Sequence, residues 1–178
     1  MKENYTRTAV ALHWIVAALI AMALIIGWFM TDMVTSPTKM RVYDWHKCIG
    51  ITVLALFFVR ALWRMRHPAP APVLMPAWQR FASHAVHGLL YVMLLLQPLT
   101  GWLFSNAAGH SIVYLGLVPL PDLVGKDKAL ASVLKAVHAT LNFTLLALVC
   151  VHVGAALRHH AADRDGVLPR MLPFLRRG

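Results

Sequence analysis

The chain has 178 residues, of which 59% are hydrophobic and 13% charged, with a mean hydropathy of +0.62. A soluble domain carries about 25% charged residues, so this composition points to lipid as the solvent and excludes an ordinary water-soluble domain. The formal net charge of +10 does not indicate nucleic-acid binding, because the 17 Lys and Arg gather at the ends of apolar runs and not along one amphipathic face.

The first apolar run covers about 8–31 and follows a basic start. It is too long for the apolar core of a signal peptide, and no convincing cleavage region follows it, so it reads as a retained span. A second run covers about 44–65, and the Pro-rich stretch 67–77 after it reads as a stiff linker. The third, 79–105, contains Gln97-Pro98, which kinks a helix without ending it. Residues 106–130 form the longest loop, where Gly109, Pro119 and Pro121 argue against a regular helix, and the fourth run covers 131–158. Each run can cross a hydrocarbon core of about 30 Å as a helix, and none alternates with the period of two expected of barrel strands. The expected fold is an all-α integral membrane protein, a four-helix transmembrane bundle forming one domain over 1–178.

Trp14, Trp28, Trp45, Trp63, Trp78 and Trp102 lie near the ends of these runs, as interfacial aromatics do. Cys48 and Cys150 form neither a C-x-x-C pair nor a C-x-x-C-H haem-attachment motif, and read as small buried apolar residues. Of the basic residues, Lys2, Arg7, Arg60, Arg64, Arg66, Arg80, Arg158, Arg164, Arg170, Arg176 and Arg177 fall on one side. Lys39, Arg41, Lys47, Lys126, Lys128 and Lys135 fall on the other. The positive-inside bias places both termini in the cytoplasm.

Ten histidines are present, several inside apolar runs, where ionisable side chains are costly and mark function. His138 and His152 are fourteen residues apart on the fourth span. On a helix that leaves them about 40° apart in angle and about 21 Å apart along the axis. One stripe thus offers two imidazoles, one toward each membrane surface. Antiparallel topology supplies a partner for each at matching depth: His13 for His152 on the cytoplasmic side, and His46 for His138 on the outer side. Opposed imidazoles in an apolar bundle suit the axial positions of two non-covalent b-type haems. Interhelical hydrogen bonding or zinc are the alternatives, although zinc gathers three or four ligands in one place.

The chain resembles the bacterial cytochrome b561 family, the short four-helix type that includes superoxide oxidase. The resemblance runs over nearly the whole length and rests on Leu12-His13-Trp14, on His46-Lys47-Cys48-Ile49-Gly50-Ile51 and on His84-x-x-His87. It continues with Leu134-Lys135-Ala136-Val137-His138, His152 through His160, and Leu168-Pro169-Arg170-Met171. It implies His13, His46, His138 and His152 as the haem ligands, the set that helix geometry selects. It further implies the inner membrane, a quinone such as ubiquinone as partner and, in superoxide oxidase, electrons taken from superoxide at the outer side. The roles of His84 and His87 stay open between support of a haem, through a propionate, and ligation.

His159 lies seven residues beyond His152, about 20° from it in angle, and is a candidate hydrogen-bond donor to a quinone carbonyl or else an interfacial histidine. His160, His67 and His110 read as loop or interface residues. On the outer face, Lys47 and Lys135 flank the ligand positions, with Lys39, Arg41, Lys126 and Lys128 in the adjoining loops. They can steer a small anion such as superoxide, or be ordinary solvated charges offset by Asp32, Asp44, Asp122 and Asp127. The expected function is electron transfer from superoxide at the outer face to ubiquinone. The alternative is a quinone-linked cytochrome b subunit exchanging electrons with a soluble dehydrogenase or hydrogenase partner. A histidine-lined transporter is a third reading, and it predicts colourless protein.

Overall fold

The computed structural model describes residues 4–71, 73–163 and 165–175. Four long helices dominate them: α1 (Arg7–Asp32), α2 (Pro37–Arg66), α3 (Ala77–Ala107) and α4 (Lys128–Arg158). All four are long and apolar enough to cross a membrane. Their outward faces carry exposed Ile25, Phe29, Phe58 and Phe143, which suit lipid and would be costly in water. The expected all-α transmembrane bundle is therefore the fold.

Capping chemistry sets the helix starts and moves two of them from the expected bounds. α2 begins at Pro37, seven residues before the apolar run, because Ser36 caps it: its Oγ accepts the Lys39 N–H at 3.2 Å and proline occupies the first turn. α4 begins at Lys128 because the Asp127 carboxylate accepts the N–H groups of Ala129 and Leu130 at 2.8 and 3.0 Å. Beyond Arg158 the α4 helix runs into one π-helical turn, His159–Asp163. Pro98 lies inside α3 without ending it.

Close packing runs α1 on α2, α2 on α3 and α3 on α4. Val16, Val53 and Leu94 from the first three helices meet in one buried cluster. Leu145 is the buried residue of α4, midway between His138 and His152.

The stretch 106–130 is a folded cap between α3 and α4 and not an irregular loop. It contains a two-stranded antiparallel hairpin, β1 (Val113–Tyr114) with β2 (Val118–Pro119), pairing Val113 with Pro119 and Tyr114 with Val118. Asn106, nearly fully buried, donates to the Asp122 carboxylate at 2.7 Å and accepts the Leu123 N–H at 3.0 Å. Ser111 binds the second carboxylate oxygen at 2.8 Å. Strands of two residues are too short to show a period, which is why the sequence does not announce them.

At the opposite end, the C-terminal segment folds back over the bundle. Trp14 Nε1 donates to the Met171 carbonyl at 2.8 Å, and Arg170 donates to the Ala71 carbonyl of the Pro-rich linker at 2.7 Å. The expectation of two buried cysteines needs correction. Both are free: Cys150 is exposed, because it lies off the inward stripe of α4, and Cys48 is half-buried with its Sγ accepting the Leu115 N–H at 3.3 Å. Of the basic residues counted for topology, Lys2, Arg164, Arg176 and Arg177 lie outside the described residues.

Candidate functional site

The four histidines singled out by helix geometry meet as two pairs, in the partnership their depths require. His13 of α1 and His152 of α4 have ring centroids 6.2 Å apart, and His46 of α2 and His138 of α4 have theirs 6.4 Å apart. All four are half-buried. On α4 the pairs are separated by about 21 Å along the axis, with Leu145 between them.

The His46–His138 pair sits in a cradle that orients both rings. Thr100 of α3 donates its hydroxyl proton to the Gln97 carbonyl at 2.9 Å, so its oxygen is left as acceptor for His138 Nδ1 at 3.1 Å. That arrangement puts the His138 proton on Nδ1 and leaves Nε2 with a free lone pair. The Gln97 amide nitrogen lies 3.4 Å from that Nε2, a long and weak contact. Gly101 is packed so closely that an added Cβ would stand 3.0 Å from His138 Cε1. Gly27 of α1 does the same for the other ring, where an added Cβ would stand 3.1 Å from His46 Cε1. His46 Nδ1 is buried without a hydrogen bond of ordinary geometry, beside the Ala23 carbonyl.

The His13–His152 site holds three imidazoles. His87 of α3 lies with its ring 5.0 Å from that of His152, closer than His13 does. The Ser83 carbonyl accepts His87 Nδ1–H at 2.6 Å, leaving His87 Nε2 as the lone-pair nitrogen. His84 is bound in the same way to the Arg80 carbonyl at 2.7 Å. His13 Nδ1 is buried and unpartnered.

His159 opens the π-helical turn, which carries Asp163 into its reach. Its Nδ1 lies 2.6 Å from Asp165 Oδ2 and 3.3 Å from Asp163 Oδ2, so the ring donates Nδ1–H to carboxylate. His160 follows it, exposed. His67 caps α2 and stacks on Trp63, with centroids 4.1 Å apart, and His110 lies in the cap between α3 and α4.

The two lysines flanking the His46–His138 pair differ. Lys47 is mostly covered and bonds Asp44 at 3.1 Å, whereas Lys135 is exposed on α4. Lys39 is drawn to the Met33 carbonyl at 2.7 Å at the end of α1.

Gly27 and Gly101 were not singled out from the sequence. Each is a glycine inside an apolar helical run, where it costs about 1 kcal/mol against alanine. That cost was the available signal that something packs against the backbone there.

Residues 4–174 match the family described as prokaryotic cytochrome b561. The chain is 31% identical over 174 residues to cytochrome b561 homolog 2 of Escherichia coli strain K12, covering 96% of this chain and 92% of that protein. It is 32% identical over 176 residues to cytochrome b561 homolog 1 of the same organism, covering 96% and 98%. To the probable superoxide oxidase CybB of Yersinia pestis it is 30% identical over 179 residues, covering 97% and 98%. With four apolar helices holding paired imidazoles, the chain belongs to the prokaryotic cytochrome b561 family, multi-pass bacterial membrane proteins of electron transfer that bind b-type haem.

Proposed function

We propose that the protein is a di-haem superoxide:ubiquinone oxidoreductase of the bacterial inner membrane, with both termini in the cytoplasm. The observation that carries the two-haem reading is the pair of separated imidazole couples, His46 with His138 and His13 with His152. The residues fit the group. Two metal–imidazole bonds of about 2 Å each, together with the half-widths of the rings, fill a centroid separation of this size. The Thr100 contact leaves His138 Nε2 free to ligate, and Gly27 and Gly101 keep side chains away from the outer rings. A b-type haem held by two imidazoles supplies one-electron chemistry, alternating between ferric and ferrous iron.

The chain's own residues do the rest. His46 and His138 define the outer station, and exposed Lys135 adds positive charge beside it, which favours the approach of a small anion, while Lys47 is paired with Asp44. His13 and His152 define the inner station, with His87 in support. His159, held at Nδ1 by Asp165, donates Nε2–H to a quinone carbonyl on the cytoplasmic side when the ring carries both protons. In balance, two superoxide anions become two molecules of dioxygen, and one ubiquinone takes up two electrons and two protons to become ubiquinol. The similarity to the probable superoxide oxidase of Y. pestis supports superoxide as donor.

One feature favours the second reading, a subunit serving a soluble dehydrogenase or hydrogenase. The tip of the β1–β2 hairpin exposes Leu115 and Leu117 at 65% and 81% on the outer face, an apolar point of contact for another protein.

The deciding experiment uses protein purified in detergent. Haem is counted per chain, and ubiquinone reduction is followed while superoxide is generated enzymatically. Two haems per chain and quinol formation abolished by superoxide dismutase are expected. Coloured protein that superoxide leaves oxidised overturns the donor assignment, and one haem per chain overturns the pairing.

A further inference from the structure

The cytoplasmic half of the bundle holds two cations that the chain does not neutralise. Arg60 and Arg64 are one turn apart on α2, and with Leu12, Trp63 and His67 they line a narrow cleft between α1, α2 and α3. Arg60 lies over the Tyr91 ring, 5.5 Å from its centroid, and Arg64 over the Tyr5 ring at 5.9 Å. The chain has seven acidic residues. Asp32, Asp44, Asp122 and Asp127 are at the other end of the bundle, Asp163 and Asp165 engage His159, and Glu3 lies outside the described residues. Neither arginine has a carboxylate partner among the described residues.

Arg60 stands level with His13 and not at the helix end. It is six residues from the end of α2 at Arg66, just as His13 is six residues from the start of α1 at Arg7. Both therefore stand about 9 Å inside the helix ends. Arg60 is half-buried, and its charge acts on both His13 and His152. A half-buried guanidinium is stabilised by an anion or by strong acceptors, and an aromatic face offsets part of the cost of covering it. Its planar fork of donors matches the two oxygens of a carboxylate.

We propose that Arg60, with Arg64 one turn nearer the surface, is the carboxylate-binding end of the inner cofactor pocket and anchors the propionate groups of the haem there. This rests on His13 and His152 being a haem site. Tyr91 positions the guanidinium from beneath, and His87, one turn before Tyr91 on α3, closes the same wall against His152. Arg60 thereby fixes which edge of the cofactor faces the cytoplasm.

The test is a reconstitution with two cofactors that differ in the groups concerned. Apoprotein in detergent is titrated with haem b and with its dimethyl ester, which has no free carboxylate, and Soret absorbance is read. Wild type, Arg60→Gln, Arg60→Lys and His152→Ala are compared. Arg60→Gln should bind haem at the inner site about tenfold to a hundredfold more weakly and should bind the ester as wild type does. Arg60→Lys should recover part of the loss, and filling of the outer site should be unchanged, which reports intact folding. Equal weakening of haem and ester by Arg60→Gln, or no weakening of either, overturns the proposal. If instead His152→Ala fills the inner site normally, the haem assignment itself falls, and the proposal with it.

Discussion

Gly101→Ala sets two structural effects of opposite sign against each other. Gly101 lies inside α3, where alanine is favoured over glycine by about 1 kcal/mol of helix propensity, so the backbone itself gains. The added Cβ, however, would stand 3.0 Å from His138 Cε1 and 3.4 Å from Nδ1. Ordinary contact begins at about 3.4 Å, so the ring has to retreat by about 0.4 Å. Metal–imidazole geometry holds to about 0.2 Å, and turning the ring off its rotamer costs about 0.5–1.5 kcal/mol. The same retreat disturbs the Thr100 contact at 3.1 Å. The fold thus breaks roughly even while the outer station loses its geometry. The variant should express and span the membrane normally, yet lose or weaken the haem at His46 and His138 and keep the one at His13 and His152.

Haem per chain and a redox titration of the reduced-minus-oxidised spectrum check this. Gly27→Ala, with its Cβ 3.1 Å from His46 Cε1, should show the same selective loss. Gly154→Ala meets nothing within 4 Å and is the control that gains propensity without harm. Gly101→Ala protein with two haems and an unaltered outer-site titration would refute the reasoning, because the ring would then have room that the packing denies.

Other substitutions separate the remaining parts of the site. His138→Ala should remove the outer haem alone and His13→Ala the inner one, each seen as a drop from two haems per chain to one. Asp165→Asn takes the charged acceptor from His159 Nδ1 and should raise the KM for ubiquinone about tenfold with haem content unchanged, and an unmoved KM removes His159 from the quinone site. Trp14→Phe deletes the bond to the Met171 carbonyl, a loss of about 1 kcal/mol. Amide exchange over 165–175 should then speed up about fivefold, while both haem spectra stay as they are.

The sequence exposes what depends on chain-local periodicity and hides what depends on close approach. Four spans follow from four apolar runs, and the pairing of His138 and His152 with different partners follows from 3.6 residues per turn and antiparallel order. The early start of α2 is also legible, since Ser36-Pro37 is a capping signal lying ahead of the apolar run. Other features needed coordinates. The ring contacts of Gly27 and Gly101 arise between helices far apart in sequence. The hairpin that covers the outer end hangs on Asn106 and Asp122, sixteen residues apart, and no local pattern links them. The same holds for His87. Its spacing from His84 puts both on one face, but it is His87 whose ring meets that of His152, a contact between helices that no local spacing announces.

The two stations sit in unlike fields, and that bears on the direction of electron flow. Around the outer pair the nearest polar groups, Thr100 and Gln97, are neutral. Lys47 is compensated by Asp44, and Lys135 is exposed, where water and salt screen it. Around the inner pair Arg60 is half-buried with no carboxylate partner among the described residues. Its charge acts in a medium of low dielectric constant, where it counts for more. A cation stabilises the reduced state of a nearby centre, because that state carries one more negative charge. Haem propionates bound to Arg60 would offset part of this, but Arg64 adds a second charge to the same cleft. The haem proposed at His13 and His152 should therefore titrate at the higher potential, making passage from the His46–His138 station toward it downhill. Arg60→Gln should lower that potential and leave the outer one in place. A redox titration that assigns the higher potential to the haem lost in His138→Ala would reverse the direction argued from these charges.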